Sequence, residues 1–301
     1  MSERFSFLLS QIFILMCLFQ VNHSANVLCM FTSPHITNLK IFMAVANTLI
    51  ERDHNLTIVT TIPIPIGFIP KKNFRHIFLE IPFESARVFT DVNTQLAIDP
   101  LSKTNDFKSF FQTVHISTRI QRNALMQSEF KEFFAEENKF DLMILGYLLN
   151  DFMVGVAPRY DCPIAIISLS GPFGAIGEWI GNPSAISYVQ VPFVGKSQPM
   201  SFIERFQNLM LHAFEPVVQA YSNQIMDDIY RTLFTDESYP PYSDVISNIS
   251  LVLYNRHFSE MPVRPLVPAL VEIGGIQDED QSEYLPQVSF SSMKYQQICY
   301  S

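Results

Sequence analysis

The sequence predicts a doubly wound α/β sheet, on three observations. Short, continuously apolar runs recur along the chain, as strands buried on both faces of a parallel sheet do. The segments between them repeat apolar residues every three or four positions, the period of an amphipathic helix. The first run, helix and second run fit within about 35 residues, the size of a βαβ unit, whose right-handed crossover puts both strands in one parallel sheet.

Asn26–Phe31 is the first strand, ended by Thr32-Ser33-Pro34. Asn38–Glu51 is a helix with Leu39, Phe42, Met43, Ala46, Leu49 and Ile50 on one face, and Thr37 or Asn38 as its N-cap. Its exit, Arg52-Asp53-His54-Asn55, offers Asp or Asn for a left-handed turn, and Leu56–Thr60 follows as the second strand. Arg75–Ile81 is strand-like, Asp106–Glu137 reads as two helices, Phe140–Leu145 as a strand, Asp151–Arg159 as a short helix and Cys162–Ser168 as a strand. Gly171–Gly177 and Gly181–Ser184 make a loop region. Phe202–Leu233 is a long amphipathic helix, in which Leu209, Met210 and Met226 read as core. Val245–Tyr254 is the final buried strand, with Pro262, Pro265 and Pro268 marking its exit. After Gly274-Gly275 the chain turns acidic and then rich in Ser, Gln and Tyr, the composition of a disordered tail.

Composition narrows the function. With 48% hydrophobic and 16% charged residues the chain can bury a core, which excludes a disordered or collagen-like polymer. Twenty Lys and Arg against 29 Asp and Glu give a net charge of −9 with no basic run, so nucleic acid is a poor partner. Four cysteines (Cys17, Cys29, Cys162, Cys299) and seven histidines show no metal-ligand spacing, and no metal is expected.

The first 24 residues read as a cleaved signal peptide. Arg4 precedes an apolar run, Phe5–Phe19, too short for a comfortable membrane span, and the small-residue pattern near Ala25 makes a soft cut. An uncleaved anchor is the alternative. Past Val27 no stretch of about 18 apolar residues occurs, so the mature chain is expected without a membrane span, in the endoplasmic reticulum lumen or secreted. Two sequons, Asn55-Leu-Thr57 and Asn248-Ile-Ser250, become glycosylation candidates there, although both lie in strand-like segments where a glycan is hard to place. Cys17 leaves with the signal; Cys29 and Cys162 sit in apolar surroundings that favour buried, inert thiols.

No Walker loop, G-x-G-x-x-G, G-x-S-x-G or H-E-x-x-H occurs, and the spacing of Gly171, Gly174 and Gly177 fits a flexible loop better than a phosphate cradle. His35 follows the first strand, where doubly wound folds place their ligands. A resemblance adds to this. Ala25-Asn-Val-Leu-Cys-Met-Phe-Thr-Ser-Pro34, the exit Glu51-Arg-Asp-His-Asn-Leu-Thr-Ile-Val-Thr-Thr61, Phe140-Asp-Leu-Met-Ile144, Gly181-Asn-Pro-Ser184 with Ser187-Tyr188, Arg264-Pro-Leu-Val-Pro268 and Val271-Glu-Ile-Gly-Gly275 resemble, in order, the insect branch of the UDP-glycosyltransferases.

The resemblance implies the amino-terminal half of a GT-B fold. Residues 25–276 form a Rossmann-like domain that binds a small lipophilic acceptor, and 277–301 a divergent tail. The second domain, which grips the UDP-sugar co-substrate and carries the family signature, has no counterpart here, so no cofactor is expected to bind this domain. In the family a histidine after the first strand removes the acceptor's proton as its oxygen attacks the anomeric carbon and UDP leaves, and a carboxylate on a later strand holds the imidazole. Counted without gaps, the histidine position falls on Asn38 and the carboxylate position on Gly146. Neither can carry a proton, which points to an inactive site; His35 and Asp151 are the substitutes at hand. Phe110, Phe173 and Trp179 are candidates for the acceptor pocket, or plain core. The competing expectation is a non-catalytic module that binds a lipophilic ligand or pairs with a full-length relative.

Overall fold

The computed structural model describes residues 24–65, 67, 72–82, 84–85, 87–88, 106–169, 175–191, 199–257, 259 and 264–278. The expected signal peptide, apart from Ser24, the glycine loop at 171–174 with Phe173, and the tail from 279 onward lie outside the described residues.

Seven strands form one sheet: β1 (Asn26–Phe31), β2 (Asn55–Thr60), β3 (Phe74–Phe78), β4 (Leu142–Tyr147), β5 (Ile164–Ser168), β6 (Ile249–Tyr254) and β7 (Leu270–Glu272). Every pairing is parallel, in the order β3-β2-β1-β4-β5-β6-β7. The chain runs outward from β1 to β3, returns to the middle at β4, and runs outward the other way. The reversal between β1 and β4 opens a crevice at the carboxyl ends of those strands. The Rossmann-like doubly wound sheet expected for the amino-terminal half of a GT-B fold is the architecture observed.

The helices are α1 (Ile36–Glu51), α2 (Asp106–Leu125), α3 (Ser128–Ala135), α4 (Ala175–Trp179), α5 (Phe202–Leu233) and α6 (Tyr242–Ser247), with a 3-10 helix at Asp151–Tyr160. Side chains alternate across each strand. Val27, Cys29 and Phe31 therefore meet Leu39, Phe42 and Met43 of α1 in one core. Leu28 and Met30 meet the other core, built with Phe130 and Phe133 of α3, Phe152–Val154 of the 3-10 helix, Tyr230 of α5 and Tyr242 of α6. Burial on both faces is why the strands read as unbroken apolar runs. At the exit of α1, Asp53 takes the left-handed turn, with φ +64°.

Several expectations are corrected. The first helix begins at Ile36 with His35 as N-cap residue, not at Thr37 or Asn38; Pro34 sets the entry, and no side chain caps it. The segment read as one strand, Val245–Tyr254, is the end of α6 followed by β6, because Tyr242–Ser247 buries Tyr242 and Val245 at a helical spacing. Asn248 accordingly sits exposed at a helix end and not in a strand, while Asn55 opens β2 and is exposed, its amide donating to Ser24 and Asn26. Nor is β6 the last strand: β7 adds three residues beyond the prolines. The expected loop at 171–177 ends in the short helix α4. Leu209 and Met210 are half exposed, not core, because α5 turns Asn208, Met226 and Tyr230 inward. Met226 is buried as expected. Cys29 is fully buried, and its thiol is pushed far above the usual range; Cys162 is only half buried, its thiol pushed up to about 11. Both stay protonated and unreactive at neutral pH.

Candidate functional site

The crevice between β1 and β4 is floored by two loops, Thr32–His35 after β1 and Leu148–Asn150 after β4. A buried chain of hydroxyls and amides ties them together. Thr32 Oγ1 donates to Gln121 Oε1 at 2.7 Å and accepts from Asn150 Nδ2 at 3.3 Å, and Thr61 Oγ1 donates to the Thr32 carbonyl at 2.9 Å. Asn150 Nδ2 also reaches the Gly146 carbonyl at 3.1 Å, and its Oδ1 accepts the Leu148 N–H at 2.8 Å. From α2, Gln121 Nε2 donates to Ser117 Oγ at 2.9 Å and to the Leu148 carbonyl at 3.0 Å, where Ser117 Oγ also donates at 3.1 Å. Leu149, between the bonded residues, is held at φ +53°, which a branched side chain seldom adopts without such support.

Sequence reasoning missed this network. Its signal was present: Ser117 and Gln121 stand four residues apart on the same inward stripe of α2 as Val114, Ala124 and Leu125, and polar residues there must find partners. Chemically the network positions backbone. It contains no group that accepts a proton at neutral pH.

Asn38 faces this region from the first turn of α1, its Nδ2 donating to Ser33 Oγ at 2.9 Å. His35, half buried, precedes it, and its carbonyl accepts the Leu39 N–H at 3.2 Å. Gly146 lies inside β4, and a Cβ there would stand 2.6–2.9 Å from three atoms of the Phe42 ring. That ring is fully buried and packs on Phe31 with centroids 5.2 Å apart, so it has no room to yield. The position that holds a carboxylate in the resemblance is filled here by an aromatic ring from α1.

Asp151 retains a carboxylate but points elsewhere. It opens the 3-10 helix, is buried, and accepts a hydrogen bond from the Tyr242 hydroxyl of α6, within the core on the far side of the sheet from α1. Burial pushes its pKa up to about 6, the Tyr242 bond opposing, and the same burial together with the Asp151 charge drives the Tyr147 hydroxyl well above its usual value. Among the described residues no hydrogen bond or ion pair joins His35 to Asp151. The structure does not bring this pair together.

Of the three pocket aromatics, Trp179 is placed at the carboxyl edge of the sheet, edge-on to Tyr147 at 5.5 Å and 88°. Phe110 lies on the backbone of α2, its side chain outside the described residues, as Phe173 is altogether. A cavity of about 410 Å³ opens at the opposite, amino-terminal edge, between Phe134, Arg159, Phe234 and Tyr239. No cluster of metal-ligating side chains occurs among the described residues, and no described helix is long and apolar enough to cross a membrane.

Comparison with known proteins agrees with the resemblance in sequence. A family model described as UDP-glucoronosyl and UDP-glucosyl transferase matches residues 27–292. UDP-glucosyltransferase 2 of Dactylopius coccus is 28% identical over 266 residues, covering 86% of this chain and 49% of that protein. UDP-glycosyltransferase UGT4 of the same species is 22% identical, covering 83% and 48%. The chain spans about half the length of these curated relatives. Among solved structures, the calicheamicin glycosyltransferase CalG4 is 12% identical with a TM-score of 0.40, covering 84% of this chain and 53% of that one.

Proposed function

Because the chain belongs to the UDP-glucoronosyl and UDP-glucosyl transferase family, we propose that it supplies the acceptor-binding side of a UDP-glycosyltransferase. The reaction is transfer of a hexose from a UDP-sugar to a small lipophilic acceptor, with the sugar nucleotide held by a second, donor-binding half. This chain by itself does not turn over. The observation that carries the reading is the pairing of Asn38 with the Phe42-filled position at Gly146. An amide can orient an acceptor hydroxyl but cannot remove its proton, and among the described residues no carboxylate is hydrogen-bonded to it. The Arg4 and apolar leader support a place in the endoplasmic reticulum lumen or the secreted fraction.

The same two positions favour a second reading, a non-catalytic module that holds a lipophilic ligand or pairs with a full-length relative. Calorimetry of the purified chain against UDP-glucose, UDP-glucuronic acid and a panel of lipophilic phenols tests both. Phenol binding without nucleotide-sugar binding or UDP release is expected. Phenol-dependent UDP release by this chain alone would overturn the assignment of Asn38 and Gly146 as a lost pair. Turnover that appears when the chain is mixed with an isolated donor-binding half would select the first reading; stimulation of a full-length relative without it would select the second.

A further inference from the structure

The cavity at the amino-terminal edge of the sheet forms where three segments far apart in sequence meet: the end of α3 at Phe134, the end of the 3-10 helix at 158–160, and the exit of α5 at 233–239. Its walls are aromatic. Phe234 stacks on Tyr239 with ring centroids 5.3 Å apart, and the Phe134 ring lies 6.1 Å from that of Phe234. Helix ends of this kind ordinarily offer free carbonyls, but here the acceptors are engaged. The Pro158 carbonyl takes the Asp161 N–H, the Tyr230 carbonyl takes the Phe234 N–H, and the Phe134 carbonyl takes Arg159 Nε at 3.5 Å. Asp236 accepts from the N–H and the hydroxyl of Ser238, at 2.9 and 2.8 Å. The donors are not engaged. The hydroxyls of Tyr160 and Tyr239 are closed to water and have no partner among the described residues, and Arg159, which is exposed, makes no ion pair among them. Burial pushes both hydroxyls up to about 12 with the Arg159 charge opposing, so both keep their protons at neutral pH. A buried hydroxyl without a partner is destabilising, and native folds seldom leave one so.

We infer that this cavity binds a small aromatic carboxylate. The two oxygens of the acid supply the acceptors that Arg159 and the Tyr239 hydroxyl lack, and a guanidinium meets a carboxylate through two parallel charge-assisted bonds. The ring of the acid packs against Phe134 and Phe234, in the offset or edge-on geometry that aromatic pairs prefer. A volume of about 410 Å³ falls in the roughly 300–1,000 Å³ of small-molecule sites and suits a molecule of one or two rings. The Asp236 carboxylate, held by Ser238, sets the demand for a ligand whose charge is met by Arg159 alone. An acid held here leaves the crevice between β1 and β4 open, because the two sites stand at opposite edges of the sheet. The inference therefore rests on neither reading of Asn38 and Gly146.

The test is calorimetry of the full chain, expressed in insect cells, with 3-phenylpropionate as the probe, 3-phenylpropionamide as its uncharged counterpart and inorganic phosphate as a bare oxyanion. Trp179 is the only tryptophan in the chain and stands at the carboxyl edge, so its emission reports on the crevice. Saturable binding of 3-phenylpropionate with a Kd below about 1 mM is expected, with Trp179 emission unchanged. Arg159→Gln, at an exposed position, should weaken it at least ~10-fold, and Tyr239→Phe by about 3-fold or more. The amide and phosphate should each bind at least ~10-fold more weakly than the acid. No binding at about 10 mM probe overturns the inference, as does binding indifferent to Arg159→Gln. Phosphate binding as tightly as the acid would overturn it too, by showing that the rings take no part. Binding that shifts Trp179 emission and survives Arg159→Gln assigns the acid to the crevice instead.

Discussion

The two sides of β4 treat the same requirement in opposite ways. Toward α1, position 146 is a glycine and Phe42 occupies the space beside it; toward α6, Asp151 carries a carboxylate buried beneath the Tyr242 hydroxyl. The first side is packed, neutral and indifferent to protons. The second is polar, strained by desolvation and sensitive to them. The contrast teaches that a carboxylate near the end of a strand need not face the crevice there; what decides is which core its side chain enters.

The sharpest way to break the comparison is Gly146→Asp. Its Cβ meets the Phe42 ring and its charge has no partner, so a loss of about 3–5 kcal/mol is expected in urea unfolding. In a Phe42→Ala background the same substitution should cost less than it does in the parent, because the ring its Cβ meets is gone, although the double variant stays less stable than the parent. A Gly146→Asp protein as stable as the parent would mean that packing does not exclude the carboxylate.

The far side predicts a pH dependence next in size. Asp151 holds its proton up to about pH 6 when folded, against an ordinary value of 3.8, so between those values the folded state binds more protons than the unfolded one. Stability should therefore be greatest below about pH 4, fall by up to about 3 kcal/mol as pH rises to 6, and stay level above that as far as this group is concerned. Urea midpoints across pH 4–8 check this, and Asp151→Asn should flatten the profile. A profile unchanged by that substitution would remove the charged contrast between the two sides.

Tyr242→Phe is smaller. It deletes the Tyr242 hydroxyl bond to Asp151, costing about 1–2 kcal/mol at pH 7 and less below pH 5, where the acid is protonated. Equal losses at both pH values would show that the hydroxyl serves packing alone. Smallest of all is Asn38→His, expected to change stability by less than about 1 kcal/mol, since one hydrogen bond to Ser33 is at stake. With no carboxylate behind it, the new imidazole should titrate near the unperturbed value of about 6.5 by NMR. A value well above 7 would reveal an acidic partner and blur the distinction drawn between the two sides.

How much of this was readable from the chain follows from the range of each signal. β1 to β5 and α1, α2, α3 and α5 are legible because their periodicity is local and their apolar residues are many. β7 was not: three residues behind a proline-rich exit form a strand only because β6 is there to pair with. Periodicity shows that α5 has an apolar stripe but not which way the stripe faces, so Met210 reads as core although it is exposed. Asn38 and Gly146 were found by counting along a resemblance, whereas the Phe42 ring at Gly146 is a contact between distant segments that no local pattern encodes. The polar network of Thr32, Ser117, Gln121 and Asn150 hid for the same reason, three of its loops and helices being far apart in sequence.

That network has a consequence for the order in which the molecule comes apart. Its members are hydroxyls and carboxamides, none of which gains or loses a proton between about pH 4 and 9, and none of which salt screens as it screens an ion pair. The crevice floor is thereby insulated from changes in its medium, while the Asp151–Tyr242 contact across the sheet is exposed to them. In hydrogen exchange, with each rate divided by the intrinsic rate at that pH, a shift from pH 5 to pH 7 should lower the protection of α6 and the 3-10 helix first and leave that of Leu148 and of the β1–α1 loop unchanged.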